Sequence, residues 1–401
     1  MNQDDSRQMK VLFFLHKTIL LGGGTKSFLA MLRGLMQRGV QPIVVMPDSE
    51  GVYEVITGLD IPTVVVPYFD TVYPWVRSLK DVVLFLPRII RHRTMNWIAI
   101  RRITRAVQSE GIHLVHSNVS INAVGYYVSR RLGVPHIYHV REYGDKDFSL
   151  YHFPSRRFFY RMLRAPQSYN ICITRDIQRH FHQDGRAPSR VIYNGIQAVV
   201  ETLPQRQKED FFLYAGRLIE TKGIRDLLMA YKAYFLRTNK PLQLYVMGEQ
   251  PEQAYYQQLV NYVHEQQLEE YVKFLGERSD VQDYMQRARA IVIPSHNEGF
   301  GRCMPEAMFN GCLSIGRNTG GTREQMDNGL RLTGEEIALR YETQEQLTQW
   351  LLEVSEHDND YYKPYQERAF NTVNQLYSIE SNVRQVYDFY QLIMSKEGGQ
   401  A

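Results

Sequence analysis

Short β-branched runs separated by longer stretches of helical period make up most of this chain, and the pattern runs through twice. In the first pass VLFFLH (11–16), QPIVVMP (41–47), IPTVVVP (61–67), IHLVHS (112–117) and VPHIYHV (134–140) read as strands. Near-continuous apolar runs of this kind suit strands of a parallel sheet covered on both faces. Helical patterns such as TKSFLAMLRGLMQRG lie between them. The second pass reads FFLYAGR (211–217), LQLYVMGE (242–249), VKFLG (272–276), AIVIPS (290–295) and CLSIGR (312–317). The expected fold is therefore α/β, with two facing Rossmann-like domains and a central cleft. The polar segment IQAVVETLPQRQKED (196–210) is the expected linker, giving domains at 1–200 and 201–379. A last helix, SNVRQVYDFYQLIM (381–394), sets Val383, Val386, Tyr387, Tyr390 and Met394 on one face and returns to the first domain as part of 380–401.

Composition narrows the classes. At 401 residues and 44% hydrophobic, the chain can bury two ordinary cores. Cys172, Cys303 and Cys312 form no CxxC pair, so neither a disulfide framework nor a zinc site is expected, and the twelve histidines show no ligand spacing. The polar start MNQDDSRQMK does not resemble a signal peptide, and no apolar run reaches the length of a membrane span. A cytoplasmic protein, soluble or peripheral, is expected. Net charge is +4 but unevenly placed: residues 1–200 carry 26 Lys and Arg against 14 Asp and Glu, and the remainder 21 against 29. The first half should meet something anionic.

The stretch SHNEGFGRCMPEAMFNG (295–311) follows the apolar run AIVIPS and places Glu298 and Glu306 around Gly299, Phe300 and Gly301. Gly311 suits a left-handed helix C-cap and Pro305 a first helical turn, so a helix is expected from near Gly301. Free amides at such a start favour phosphate, and two nearby carboxylates suit sugar or ribose hydroxyls. In YAGRLIETKG (214–223), Arg217 stands just beyond a strand and Lys222 in the next turn. Strand ends in an open α/β sheet share a crevice, so these two cations can neutralise a diphosphate there.

GRLIETKG, FLGERSDV, NEGFGRCMPEAMFNG and NTGGTREQMDNG, in that order, resemble the motifs of the large family 4 of retaining glycosyltransferases with the GT-B fold. LLGGGTKS (20–27), VIYNGI (191–196) and the closing helix match as well, so the resemblance covers nearly the whole chain. It implies that Arg217 and Lys222 meet the donor diphosphate, Glu306 the nucleotide ribose and Glu298 the transferred sugar. The amides of Gly299, Phe300 and Gly301 would approach donor sugar and phosphate. Gly22, Gly23 and Gly24 would form a loop closing over the diphosphate, and the backbone near Arg278 would hold the nucleobase. Many members carry a histidine two positions after the one matched by His116; this chain has Asn118, which can still hydrogen-bond a hydroxyl. In HVRE, His139, Arg141 and Glu142 end a strand of the first domain and are candidate acceptor residues, the alternative being an Arg–Glu surface pair.

Asp145-Lys146-Asp147 and Asp358-Asn359-Asp360 mimic a DxD metal clamp but stand away from the expected donor site. No metal or other cofactor is expected, and Cys303 reads as a small buried hydrophobe. Residues 67–107 read either as an ordinary amphipathic helix pair of the first domain or as a surface for anionic lipid. They hold Arg77, Lys80, Arg88, Arg91, Arg93, Arg101, Arg102 and Arg105 against Asp70 and Asp81, interleaved with Trp75, Phe85, Ile89, Ile90, Trp97 and Ile98. Basic and aromatic residues mixed in this way suit anionic lipid headgroups, and without a recognition motif they do not point to nucleic acid. The salt dependence expected of a charge-held protein is release near 1 M.

The expected activity is retaining transfer of a sugar from a nucleotide-diphosphate sugar, UDP-sugar favoured, to a glycan or lipid-linked acceptor in bacterial exopolysaccharide, capsule or other surface glycan synthesis. The enzyme would sit peripherally on the inner face of the membrane. The alternatives are a non-catalytic glycosyltransferase-like partner subunit and a sugar-nucleotide epimerase of similar fold.

Overall fold

The computed structural model describes residues 8–398 except 17, 19–21, 75–77, 149 and 187; Leu20, Leu21, Trp75 and Arg77 thus lie outside the described residues. The chain divides into two compact units. One runs from Met1 to Gly195 and regains the chain from Ile379, and the other holds Ile196–Ser378.

The first unit contains β1 (Lys10–Phe14), β2 (Gln41–Met46), β3 (Thr63–Val65), β4 (Val72–Pro74), β5 (Leu114–Ser117), β6 (His136–Val140), β7 (Leu150–His152), β8 (Ser168–Cys172) and β9 (Ser189–Val191). Seven of them form a parallel sheet in the order β3-β2-β1-β5-β6-β8-β9, and β4 pairs antiparallel with β7. Alternate residues of β1 supply two cores. Val11 and Phe13 pack with Phe28, Met31 and Leu35 of the helix Gly23–Gln37 and with Val386, Phe389 and Tyr390 of the closing helix Ile379–Gly398. Leu12 and Phe14 point the other way, toward Ile100, Ile103 and Val107 of the long helix Leu79–Val107. Burial on both faces explains why these strands read as unbroken apolar runs.

The second unit contains β10 (Glu209–Ala215), β11 (Gln243–Met247), β12 (Val272–Gly276), β13 (Ala288–Ile293), β14 (Ser314–Arg317) and β15 (Leu339–Tyr341). All are parallel in the order β12-β11-β10-β13-β14-β15. Leu227, Leu228 and Tyr231 of the helix Ile224–Phe235 and Leu347 and Leu351 of the helix Gln344–Glu356 cover one face. Thr343 and Gln346 close the start of that last helix with a reciprocal capping box.

Connections leave β10 toward β11 on one side, while β13 and β14 lie on the other, so the strand order reverses between β10 and β13. In the first unit the reversal falls between β1 and β5. Such switch points open a crevice beyond the carboxyl ends of the strands, which is where open α/β sheets take ligands. Among the described residues no helix is long and apolar enough to cross a membrane.

Candidate functional site

The crevice of the second unit is bordered by the segments that follow β10 and β13. After β10 the chain passes Gly216 and the exposed Arg217, then makes a single 3-10 turn, Glu220–Lys222, ended by Gly223 at φ 67°. That glycine is required twice over: its φ is left-handed, and a Cβ would stand 2.1 Å from the Pro294 carbonyl oxygen. The two segments are thereby pressed together, and the His296 amide donates to the Thr221 carbonyl at 3.0 Å.

The packing brings Lys222 and Glu298 into direct contact. Lys222 Nζ donates to Glu298 Oε1 at 2.6 Å, with both side chains mostly buried. Arg302 and Glu306 form a second pair at 3.0 Å, four residues apart. Arg217, by contrast, makes no ion pair among the described residues. The helix that carries Glu306 runs Cys303–Phe309 rather than starting near Gly301, because Gly301 at φ 77° belongs to the loop; Pro305 falls in its first turn and Gly311, at φ 66°, follows its end.

Loop carbonyls from His296 to Gly301 are tied to the segment that follows β14. Thr319 Oγ1 donates to the His296 carbonyl at 3.2 Å, and the Gly321 amide to that of Glu298 at 2.7 Å. Gln325 Nε2 reaches the Phe300 carbonyl at 2.5 Å and the Gly301 carbonyl at 3.2 Å. Asp226 Oδ2 accepts from His296 Nε2 at 2.8 Å and from Arg317 at 2.9 Å, linking three strand ends. Sequence reasoning missed Asp226, Arg317 and Gln325 as supports; the only signal was their position just beyond strands or within the helix that follows.

Cys303 donates its thiol to the Ala215 carbonyl at 3.2 Å, and burial, aided by the Glu306 and Glu298 charges, pushes its pKa well up. It is a neutral packing group, and His296 faces Asp226 instead. Arg278, just after β12, clasps Asp280 with two bonds of 2.7 Å and lies over the Tyr284 ring. Asp145 is engaged by Arg156 and His180, and Asp358 caps the Tyr361 amide. Among the described residues no cluster of three or more His, Cys, Asp or Glu has a metal-binding arrangement.

In the first unit the sequence expectations need two corrections. Gly23 and Gly24 are not loop residues: they open the helix Gly23–Gln37, with Gly22 at its N-cap. His139 does not end a strand in the open. It is fully buried, its Nδ1 lies 3.2 Å from His116 Nε2 and 3.2 Å from Arg141, and His116 in turn meets Tyr390 of the closing helix at 2.5 Å. Burial first, then the Arg141 charge, lowers the pKa of both imidazoles. Arg141 is itself nearly buried and donates to the Asn118 carbonyl at 3.0 Å, to Asn118 Oδ1 at 3.1 Å and to Asn194 Oδ1 at 2.5 Å. It orients Asn118 beyond β5 at this unit's switch point. Half-buried Glu142 accepts from Ser120 at 3.5 Å.

Residues 197–368 match the model for glycosyl transferases group 1, and residues 21–198 that for glycosyltransferase family 4. An uncharacterized glycosyltransferase of Methanocaldococcus jannaschii is 25% identical over 257 residues, 62% of this chain and 69% of that protein. A glycogen synthase of Mycobacterium tuberculosis is 31% identical over 150 residues, 36% of this chain and 35% of that protein. The structure of Anabaena Alr3699/HepE in complex with UDP is similar at a TM-score of 0.74 and 19% identity, covering 95% of this chain and 99% of that one. With its two matching models spanning both units, the chain belongs to the group 1, family 4 glycosyltransferases, and its fold is GT-B.

Proposed function

We propose that this glycosyltransferase moves a sugar with retention from a nucleotide-diphosphate sugar, UDP-sugar favoured, to an acceptor hydroxyl. The observation that carries the reading is the charge arrangement at the second unit's switch point: an unpaired Arg217 beside the Lys222–Glu298 pair, with Glu306 on the adjoining helix. A diphosphate held by Arg217 and Lys222 leaves as its bond to the anomeric carbon breaks. The acceptor oxygen bonds that carbon from the same face, and its proton passes to the departing phosphate. Fixed cations stabilise the growing charge on the leaving group. Glu298 orients the transferred sugar and Glu306 the ribose. The backbone of Gly299, Phe300 and Gly301 borders the sugar and phosphate, and that near Arg278 the base.

Asn118 and Gly22 keep the donor roles that the resemblance implies, while the first unit takes the acceptor near Glu142. Its positive charge supports a lipid-linked glycan as acceptor, presented at the inner face of the cytoplasmic membrane during exopolysaccharide, capsule or other surface glycan synthesis. The neighbour's complex with UDP supports the choice of nucleotide. Two cations at the diphosphate make a metal dispensable, so transfer persists in EDTA. Thermal melts with UDP, GDP, TDP and ADP sugars test the donor. At 100 times its dissociation constant a ligand adds about 2.7 kcal/mol, enough to raise the melting temperature visibly. If none of the four raises it, the donor reading fails.

A further inference from the structure

The long helix Leu79–Val107 has two apolar faces, and only one of them is covered. Ile89, Asn96, Ile100, Ile103 and Val107 repeat at helical spacing and are buried, the last three in the core against the sheet and Asn96 on the Phe69 backbone. A second line, Leu79, Val83, Leu86, Ile90 and Trp97, lies roughly a quarter turn away. Its members are 87%, 73%, 64%, 65% and 48% exposed, with Val82 at 59% beside them. Large side chains left in water along one line are a marked departure from a monomer's ordinary surface, where exposed apolar residues are scattered singly.

This half of the helix is firmly attached. Phe85 contacts Tyr73 and Phe153 edge-on, and His92 stacks on Phe69 at 4.2 Å. Arg91 and Arg93 lie over the rings of Phe69 and Phe153, and Arg101 covers Trp97 at 3.6 Å. The stripe is therefore presented outward by a fixed scaffold. Around it the helix carries Lys80, Arg88, Arg91, Arg93, Arg101, Arg102 and Arg105 against Asp81 alone, and none of these seven cations is ion-paired among the described residues.

We infer that Leu79, Val83, Leu86 and Ile90 insert into the interfacial region of an anionic bilayer, with the flanking cations at the headgroups. Charge complementarity selects the occupant. A second copy of the chain would set seven cations against seven, whereas an anionic lipid surface answers both the apolar line and the charge beside it. The inference deepens the acceptor side of the proposed function and rests on it for the choice of a lipid surface. It also changes the salt dependence expected from charge alone. Apolar insertion is not screened, so binding weakens between 0.1 M and 1 M NaCl without being abolished.

The test is co-sedimentation with vesicles of equal parts phosphatidylglycerol and phosphatidylcholine, and with phosphatidylcholine alone. The full chain is compared with Leu86→Gln/Ile90→Gln and with Arg102→Glu/Arg105→Glu, whose exposed positions leave the fold intact. Each buried apolar side chain is worth about tenfold or more in partition, so the glutamine variant should bind about a hundredfold more weakly at both salt concentrations. The charge variant should lose binding mainly at low salt. The melting-temperature rise with UDP should be the same in all three proteins. Equal vesicle binding by the wild type and the glutamine variant overturns the insertion, as does indifference of the wild type to anionic vesicles. In either case an intact UDP response leaves the transferase reading standing. A concentration-dependent dimer lost in the glutamine variant, without vesicle binding, assigns the stripe to a second copy and overturns the inference. Vesicle binding without a response to any nucleotide sugar fails the donor reading and leaves the docking surface in place.

Discussion

Lys222 and Glu298 pair at 2.6 Å, while Arg217 stands exposed and makes no ion pair among the described residues. In the proposed function, donor binding draws Lys222 toward phosphate and turns Glu298 toward a hydroxyl, whereas Arg217 has no internal pair to break. Two substitutions separate these roles. Arg217→Ala removes a preorganised charge and should lower turnover by about 10²–10³ with an unchanged melting temperature. Near-wild-type transfer by that variant would sink the assignment. Glu298→Gln frees Lys222, so UDP itself should bind at least as tightly as before while transfer of the sugar falls; weaker binding of UDP by calorimetry contradicts the pairing. The sequence put Lys222 and Glu298 beyond strand ends that share a crevice, and their contact brings them together there. His139 was misread because a histidine at a strand end gives no sign of burial. It sits among His116, Arg141 and Tyr390, and the last of these comes from a helix more than two hundred residues away.

At the scale of elements, the strands read from sequence were those with an unbroken apolar run, most of them buried on both faces, with the edge strands β3 and β12 only partly so. Those that escaped had physical reasons to do so. SRV of β9 and LRY of β15 are three-residue edge strands, and the apolar run of β8 is broken by Ser168 and Asn170. Asn170 is tolerated inside because it donates to the Leu163 carbonyl at 2.9 Å. The exposed stripe of the long helix was also hidden, since an apolar residue in sequence looks the same on either face. What holds the loops together is more local. Gly320, at φ 51°, allows no Cβ because one would meet the Glu298 carbonyl oxygen at 2.6 Å. Gly320→Ala should cost more than about 2 kcal/mol through clash and left-handed strain. For a unit of this size that lowers the melting temperature by roughly 4–8 °C. It should also slow sugar transfer, since Glu298 is displaced; an unchanged melting temperature and turnover would mean that the loop accommodates the methyl group freely.

Taken as a whole molecule, the two units differ in how they bear acid. His136 and His152 are buried in the first unit, and burial lowers their pKa to about 3 and about 4; His116 and His139 are lowered as well. An unfolded chain titrates these imidazoles near 6.5. Below about pH 6.5 the unfolded form therefore takes up protons that the folded form refuses. The stability these groups confer is complete above that pH and is lost as pH falls toward their folded values. A fully buried imidazole loses ~1.4 kcal/mol for each pH unit in that window. None of the second unit's histidines is fully buried. Limited proteolysis in mild urea should thus shift between pH 7.5 and pH 5, with cuts gathering before residue 195 while 196–378 survives. Equal loss of both units at pH 5 would contradict this.

The returning helix has a consequence for how the chain is made. Val386, Phe389 and Tyr390 belong to the core of the unit that begins the sequence, yet they are among its last residues. During synthesis the ribosome releases Phe28, Met31 and Leu35 some 350 residues before their packing partners. The second unit, contiguous from Ile196 to Ser378, is complete before the first. Order of emergence and order of completion are thus reversed, and one face of the first unit's sheet is only partly covered until Ile379–Gly398 has been made.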